Sequence, residues 1–277
     1  MTGSSYTVSG DPHNPAILFL HGFMGSGANW ADLISALDER FYCVAPDLPG
    51  HGSSLGLPPE AYTLEGAART LLDLLDSLGA LRPTIAGYSM GGRLALYLAL
   101  RHPERCSALF LESTSPGIED AAEREARRRS DEEKAAHLEA GDLASFLRDW
   151  YRQPLFASLA RREGLLGETI EARMRNDPGE LAKSLRGMGT GSQPSLWGEL
   201  AGLQAPALAV AGELDEKYAG ISTRMASLNP RIRAATVPGA GHNLHVEAPE
   251  AYLTLLTRAL RRKGGSRTAP TSGSGSG

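Results

Sequence analysis

Residues 83–100, PTIAGYSMGGRLALYLAL, run from a short apolar segment through a glycine-rich turn into a second apolar segment. The first part, residues 83–86, predicts a buried strand, and residues 94–100 predict a buried helix. Between them, residues 87–91 fit the Gly-x-Ser-x-Gly pattern, whose small residues let the strand and the helix approach closely around the serine. We therefore predict that Ser89 lies on a sharp strand-to-helix turn, with its hydroxyl raised above a sheet.

On both sides of this segment, short aliphatic runs alternate with helical stretches. That alternation is typical of a parallel sheet whose strands are joined by crossover helices. Residues 62–78 have helical periodicity that ends at Gly79, and residues 249–261 predict a closing helix. The fold class predicted from this alternation is α/β, with a mostly parallel sheet flanked by helices. Strands are predicted at residues 16–20, 42–45, 83–86, 108–111, 207–211 and 234–237.

Residues 117–197 interrupt the alternation, because they are charged, helical in pattern and without a convincing strand. Arg, Glu and Ala dominate residues 119–140, which carry too much charge for a core helix. We predict that residues 117–197 form a helical cap inserted after the sixth strand of the sheet. Residues 1–116 and 198–263 would then form the core, and the Gly/Ser-rich residues 264–277 a disordered tail.

Composition limits the functions that the chain can have. With 277 residues the chain is long for one domain but within the usual range of α/β folds, and its net charge of −4 gives no basic surface for nucleic acid. No apolar run is long enough to span a bilayer, and residues 1–10 lack the features of a signal peptide. We expect a cytoplasmic protein in which Cys43 and Cys106 are buried, reduced thiols. The sequence does not indicate an oligomeric state.

Two polar residues at predicted strand ends accompany Ser89. Asp215 follows the strand at 207–211, and His242 lies in a glycine-rich loop after the last strand. The order Ser, Asp, His at the carboxyl ends of strands is that of an α/β-hydrolase catalytic triad. His242 would accept the Ser89 proton and Asp215 would orient the imidazole. Glu213 and Glu216 are rival carboxylates, but they are less well placed after the strand end.

An oxyanion hole is expected beside the serine. Its donors would be the backbone N–H groups of Met90, which follows the serine, and of Phe23, in the loop after the strand at 16–20. His21 and His51 also lie in glycine-rich loops. We interpret both as hydrogen-bonding loop residues rather than as catalysts.

Arg93 follows Ser89 by four positions, so the two side chains share one face of the predicted helix. The rest of this helix is apolar and should be buried. A buried guanidinium requires an anionic partner, and a substrate carboxylate would supply one through two parallel hydrogen bonds. This pattern favours an anionic substrate over a neutral ester.

Stretches in both the core and the cap carry a more specific resemblance. Residues 21–25, 47–52, 87–93 and 241–243 are motifs shared by many hydrolases, whereas residues 115–118, 127–131, 149–156 and 190–197 lie in the cap, which diverges with substrate. On these stretches the chain resembles the 2-succinyl-6-hydroxy-2,4-cyclohexadiene-1-carboxylate synthases of menaquinone and phylloquinone biosynthesis. The resemblance runs from about residue 15 to about residue 260.

The resemblance implies an elimination rather than a hydrolysis. Pyruvate would leave 2-succinyl-5-enolpyruvyl-6-hydroxy-3-cyclohexene-1-carboxylate, a small molecule with three carboxylates, and Ser89 would serve as the proton-abstracting base. The resemblance implies no metal or organic cofactor. The family's substrate-binding arginines fall on Arg93, Arg127 and Arg173, with Arg175 as a close rival of the third, and its pocket aromatics fall on Tyr88 and Trp150.

Two other functions remain open at the level of sequence. The same triad would serve a hydrolase of esters, thioesters or carbon–carbon bonds that uses Ser89 as a covalent nucleophile. A ligand-binding receptor of this fold that has lost catalysis is a second alternative. Arginines around one pocket argue against a neutral-ester hydrolase, and an intact triad argues against a receptor.

Overall fold

A seven-stranded sheet organises the computed structural model, which describes residues 5–261. Its strands lie in the order β1-β3-β2-β4-β5-β6-β7. β1 pairs with β3 in antiparallel fashion and the remaining neighbours are parallel. The predicted α/β fold class is thereby confirmed. The strands are β1 (Tyr6–Ser9), β2 (Ala16–Leu20), β3 (Tyr42–Pro46), β4 (Thr84–Tyr88), β5 (Ala108–Glu112), β6 (Ala207–Gly212) and β7 (Ile232–Val237).

Helices cover both faces of this sheet, which explains why the central strands are continuous apolar runs rather than alternating ones. β3, β4, β5 and β6 are buried at every position. The described helices are α1 (Ala31–Ser35), α2 (Leu64–Ser77), α3 (Met90–Arg101), α4 (Ala121–Glu139), α5 (Leu143–Tyr151), α6 (Ala157–Ala160), α7 (Glu163–Arg173), α8 (Pro178–Met188), α9 (Glu216–Leu228), α10 (Leu244–Glu247) and α11 (Pro249–Arg261). Residues of α2 and α3 build the core on one face, and residues of α1 and α11 build it on the other.

Helices α4 to α8 lie between β5 and β6 and have an apolar core of their own, to which Met24 of the sheet domain contributes. They fall within residues 117–197, the range predicted for the cap. In α4 only Asp131, Ala135 and Leu138 are fully buried, and the other residues of this charge-rich helix are half-buried or exposed. The prediction that the cap follows the sixth strand is wrong by one strand, because the cap follows β5, the fifth strand along the chain. Residues 5–15 form a single edge strand and a turn, so only four strands precede β5.

Two parts of the chain differ from expectation or fall outside the description. β1 was not predicted, because it is an edge strand of four residues, three of them exposed, and so short a segment gives little signal. The tail predicted at residues 264–277 lies outside the described residues. Cys43 and Cys106 are both buried and unpaired with each other, and burial raises the pKa of the Cys43 thiol to about 12. Across residues 5–261 there is no helix with the length and apolarity needed to cross a membrane.

Candidate active site

Ser89 lies at the turn between β4 and α3 in a strained backbone conformation, with φ 48° and ψ −106°. Such a φ is rare for a residue with a side chain, and it persists only where the surroundings enforce it. A Cβ on Gly87 would stand 2.5 Å from the carbonyl oxygen of Gly91, and a Cβ on Gly91 would stand 2.2 Å from that of Leu20. The glycines therefore allow the close strand–helix contact that places the Ser89 side chain above the sheet.

Ser89, His242 and Asp215 form one hydrogen-bonded chain across three loops. His242 Nδ1 donates to Asp215 Oδ2 over 2.7 Å, since a carboxylate only accepts. This leaves Nε2 facing Ser89 Oγ at 3.3 Å. Both His242 and Asp215 are buried, so the pair is shielded from water. The arrangement can move a proton from Ser89 to His242 and stabilise the resulting imidazolium.

Neither rival carboxylate forms a hydrogen bond with His242, although Glu216 lines the same cavity. Glu213 is exposed and accepts a hydrogen bond from the Gly239 N–H over 3.0 Å, and Glu216 is exposed in the first turn of α9. Asp215 reaches His242 because the loop after β6 turns back beside the loop after β7. The backbone N–H of Leu214 donates to the carbonyl of Ala240 over 2.9 Å and fixes the two loops together.

Phe23 and Met90 both line the cavity that contains Ser89. Met90 is the first residue of α3, where backbone N–H groups have no acceptor within the helix and the helix dipole is positive. Phe23 follows β2 in the loop next to β4. Among the described residues, neither backbone N–H donates to another protein group, so both remain available to an oxyanion.

The cavity has a volume of about 470 Å³ and lies between the carboxyl edge of the sheet and the cap. Cap residues supply its aromatic and aliphatic wall, among them Trp150, Leu155 and Phe156. Trp150 stacks on Phe146 at 5.7 Å between ring centroids and also contacts Phe23 at 5.3 Å. Tyr88 also lines the cavity, with its ring 5.4 Å from that of His242. The structure thus places both predicted pocket aromatics on the cavity wall.

Arg93 is 8% exposed and lines the cavity beside Ser89. Its NH1 group donates to the side-chain oxygen of Gln193 over 2.9 Å, and within residues 5–261 it forms no ion pair. Burial lowers the pKa of Arg93 to about 10. The expectation that Arg93 is buried next to the serine holds, but its protein partner is neutral. Its positive charge is therefore left for a ligand.

Arg127 and Arg173 approach the same cavity from α4 and α7. Arg127 Nε donates to Asp131 over 2.7 Å, which leaves its terminal nitrogens free to reach the cavity. Arg173 is buried at the end of α7, and its NH1 group donates to Asn29 Oδ1 over 2.7 Å. Arg175, the rival of Arg173, is exposed. All three predicted arginines thus converge on one cavity, although they come from three separate helices.

His21 and His51 are buried, form no hydrogen bond with Ser89, Asp215 or His242 within residues 5–261, and bind backbone groups of the surrounding loops. His21 Nδ1 donates to the carbonyl of Gly22 over 2.8 Å, and its Nε2 accepts from the Leu48 N–H over 2.9 Å. His51 Nδ1 donates to the carbonyl of Pro49 over 3.1 Å. Burial lowers the pKa of each imidazole to about 3, helped at His51 by the neighbouring His21.

The two buried imidazoles predict a pH-dependent stability. Because each pKa rises from about 3 to 6.5 on unfolding, the unfolded chain binds more protons below pH 6.5 and the folded state loses stability as the pH falls. We expect His51→Gln to remove about 2 kcal/mol of the decrease in unfolding free energy between pH 6.5 and 5. Urea denaturation at several pH values measures this. His13→Gln, at an exposed site, is the control, and parallel profiles for all three proteins would contradict the prediction.

Several residues near the triad were not predicted to contribute. Tyr218 lines the cavity, with its ring 4.7 Å from that of His242, and Gln193 holds Arg93. Behind Tyr88, the buried His245 donates from Nδ1 to the buried Glu112 over 2.9 Å, and Glu112 also accepts the His245 N–H. Tyr218 lies three residues after Asp215, and this helical spacing is the sequence feature that could have placed it near the site. Nothing local in the sequence connects Gln193 with a residue 100 positions earlier.

Comparisons with known proteins agree on one family. A family model described as the alpha/beta hydrolase fold matches residues 15–249. A Bacillus subtilis (strain 168) protein, provisionally named a 2-succinyl-6-hydroxy-2,4-cyclohexadiene-1-carboxylate synthase, is 38% identical over 93% of this chain and 95% of its own length. The synthase of that name from Serratia proteamaculans (strain 568) is 33% identical over 95% of this chain and 100% of its own. The solved structure of MenH from S. aureus superposes with a TM-score of 0.89 at 33% identity, covering 95% of this chain and 100% of the other.

Proposed function

The chain belongs to the alpha/beta hydrolase family and, within it, to the 2-succinyl-6-hydroxy-2,4-cyclohexadiene-1-carboxylate synthases, and from this membership we propose its reaction. The enzyme eliminates pyruvate from 2-succinyl-5-enolpyruvyl-6-hydroxy-3-cyclohexene-1-carboxylate in menaquinone or phylloquinone biosynthesis. The observation that carries the proposal is the convergence of Arg93, Arg127 and Arg173 on the cavity that holds Ser89.

The triad provides the base. Ser89 passes its proton to His242 Nε2, and the serine oxygen then takes the ring proton next to the succinyl carbonyl. The electron pair of that C–H bond becomes a ring double bond, the existing double bond shifts by one position, and the C–O bond to the enolpyruvyl group breaks. The imidazolium of His242 protonates the departing enolate, which becomes pyruvate. Asp215 stabilises the imidazolium between these steps.

The backbone N–H groups of Phe23 and Met90 serve the same step. Removing a proton next to a carbonyl places negative charge on the carbonyl oxygen. Donors fixed by the loop after β2 and by the first turn of α3 stabilise this charge without reorganising. The substrate's succinyl carbonyl would therefore lie between these two groups, with the reacting carbon facing Ser89.

The arginines bind the three carboxylates of the substrate. A hydrogen bond to a charged group contributes about 1.5–3 kcal/mol, so three guanidiniums give a strong preference for a tricarboxylate over a neutral ester. Tyr88 and Trp150 line the cavity and would contact the ring of the substrate. Both the core and the cap thus supply charged groups and apolar side chains, which matches a small-molecule site of this volume.

A direct assay tests the reaction. The purified protein is given the enolpyruvyl precursor, pyruvate release is followed with a coupled dehydrogenase, and p-nitrophenyl acetate hydrolysis is measured alongside. We expect rapid pyruvate release and negligible ester hydrolysis, because the cavity is built for anions. Fast ester cleavage without pyruvate would make the protein a serine hydrolase instead.

A further inference from the structure

Two of the three cavity arginines donate hydrogen bonds to side-chain carboxamide oxygens. Arg93 NH1 donates to the side-chain oxygen of Gln193 over 2.9 Å, and Arg173 NH1 donates to Asn29 Oδ1 over 2.7 Å. Within residues 5–261, neither guanidinium forms an ion pair with a carboxylate. Both are buried. Burial of an unpaired charge is costly, and proteins usually offset it with a carboxylate.

The carboxylate that influences Arg93 forms no ion pair with it within residues 5–261. Asp131 acts on Arg93 electrostatically, but its Oδ1 accepts from Arg127 Nε over 2.7 Å and its Oδ2 from the Gly191 N–H over 3.1 Å. Gln193 is 1% exposed and lies in the same loop as Gly191. The loop therefore fixes Arg93 through an uncharged acceptor while its neighbouring carboxylate is committed to Arg127.

We infer that Gln193 and Asn29 are positioning residues whose neutrality is functional: they orient Arg93 and Arg173 by one hydrogen bond each and leave both positive charges uncompensated for the substrate carboxylates. A glutamate at position 193 would make the same hydrogen bond and also neutralise the arginine. Such an ion pair would stabilise the ligand-free protein and weaken the binding of the substrate. The inference rests on the proposed function for the identity of the anion.

Opposite effects on stability and binding distinguish this role from a merely structural one. In the Ser89→Ala background, which holds substrate unreacted, calorimetry measures the Kd of the enolpyruvyl precursor with and without Gln193→Glu. We expect Kd to rise at least tenfold while the Tm of the ligand-free protein stays the same or rises. Asn29→Asp should act in the same direction. Gln204→Glu, the same change at an exposed position, is the matched control.

The possible outcomes separate the two proposals. A Kd within twofold of the parent, or a weaker Kd that comes with a lower Tm, overturns the positioning role. Failure of the Ser89→Ala parent to bind the precursor counts against the proposed function instead. Succinate, a simple dicarboxylate, is titrated in parallel, so that Gln193→Glu still tests the charge argument in that case.

Discussion

Replacing Ser89 with alanine is expected to lower the rate of pyruvate release by roughly 10³-fold, the range typical of a lost general base. Among the described residues its side chain forms a single hydrogen bond, with His242 Nε2 at 3.3 Å, so its removal should leave the elbow intact. The elbow backbone is held by other bonds, from the Ser89 N–H to the Glu112 carbonyl and from Thr114 Oγ to the Ser89 carbonyl. Steady-state kinetics with the coupled assay measures the loss, and the Tm should match that of the wild type.

Two further measurements make the Ser89 prediction specific. Ser227→Ala, at an exposed site on α9, should leave the rate unchanged. Because a base forms no covalent bond to the substrate, the intact mass of the wild-type protein should not change during turnover. A trapped adduct on Ser89 would contradict its role as a base and point to the covalent nucleophile of a hydrolase.

Replacing Arg93 with methionine is expected to reduce kcat/KM by about 100-fold, which corresponds to about 3 kcal/mol of lost charged hydrogen bonding. Methionine preserves much of the apolar stem and removes a buried charge that forms no ion pair within residues 5–261. The protein should therefore keep or gain thermal stability while it loses activity. Kinetics with the precursor and a thermal melt of the same sample measure both quantities.

The control for Arg93 is an exposed arginine of the cap. Arg129 lies on α4 near Arg127, but its side chain is 66% exposed and it pairs with Glu125. Arg129→Met should leave kcat/KM within twofold, since surface ion pairs contribute little. If Arg93→Met retained wild-type kcat/KM, the anionic-pocket argument would be wrong.

The prediction of the fold depended on buried strands and on glycines, and it failed where burial was absent. β4 and β5 are apolar at nearly every position because helices cover both faces, so their existence could be read directly from the sequence. β1 has three exposed residues and pairs on one side only, so it carried no comparable signal.

Part of the candidate site could likewise be predicted from the sequence. Ser89 and Arg93 are separated by one helical turn, so the sequence alone predicted that they lie side by side and that Arg93 is buried. The order of Ser89, Asp215 and His242 at the ends of strands also determined their meeting, because parallel strands bring their carboxyl ends to one edge of the sheet. Local spacing and strand direction are properties of the chain itself.

The partners of the arginines were decided by tertiary structure alone. Gln193 reaches Arg93 across 100 positions of sequence and Asn29 reaches Arg173 across 144, through the packing of the cap on the sheet. The same packing buries Arg173 beside the cavity and leaves Arg175, two positions further along the chain, exposed. A sequence records which residues can carry charge, but the charge that remains uncompensated depends on which neutral and acidic groups the folded chain places within hydrogen-bond distance.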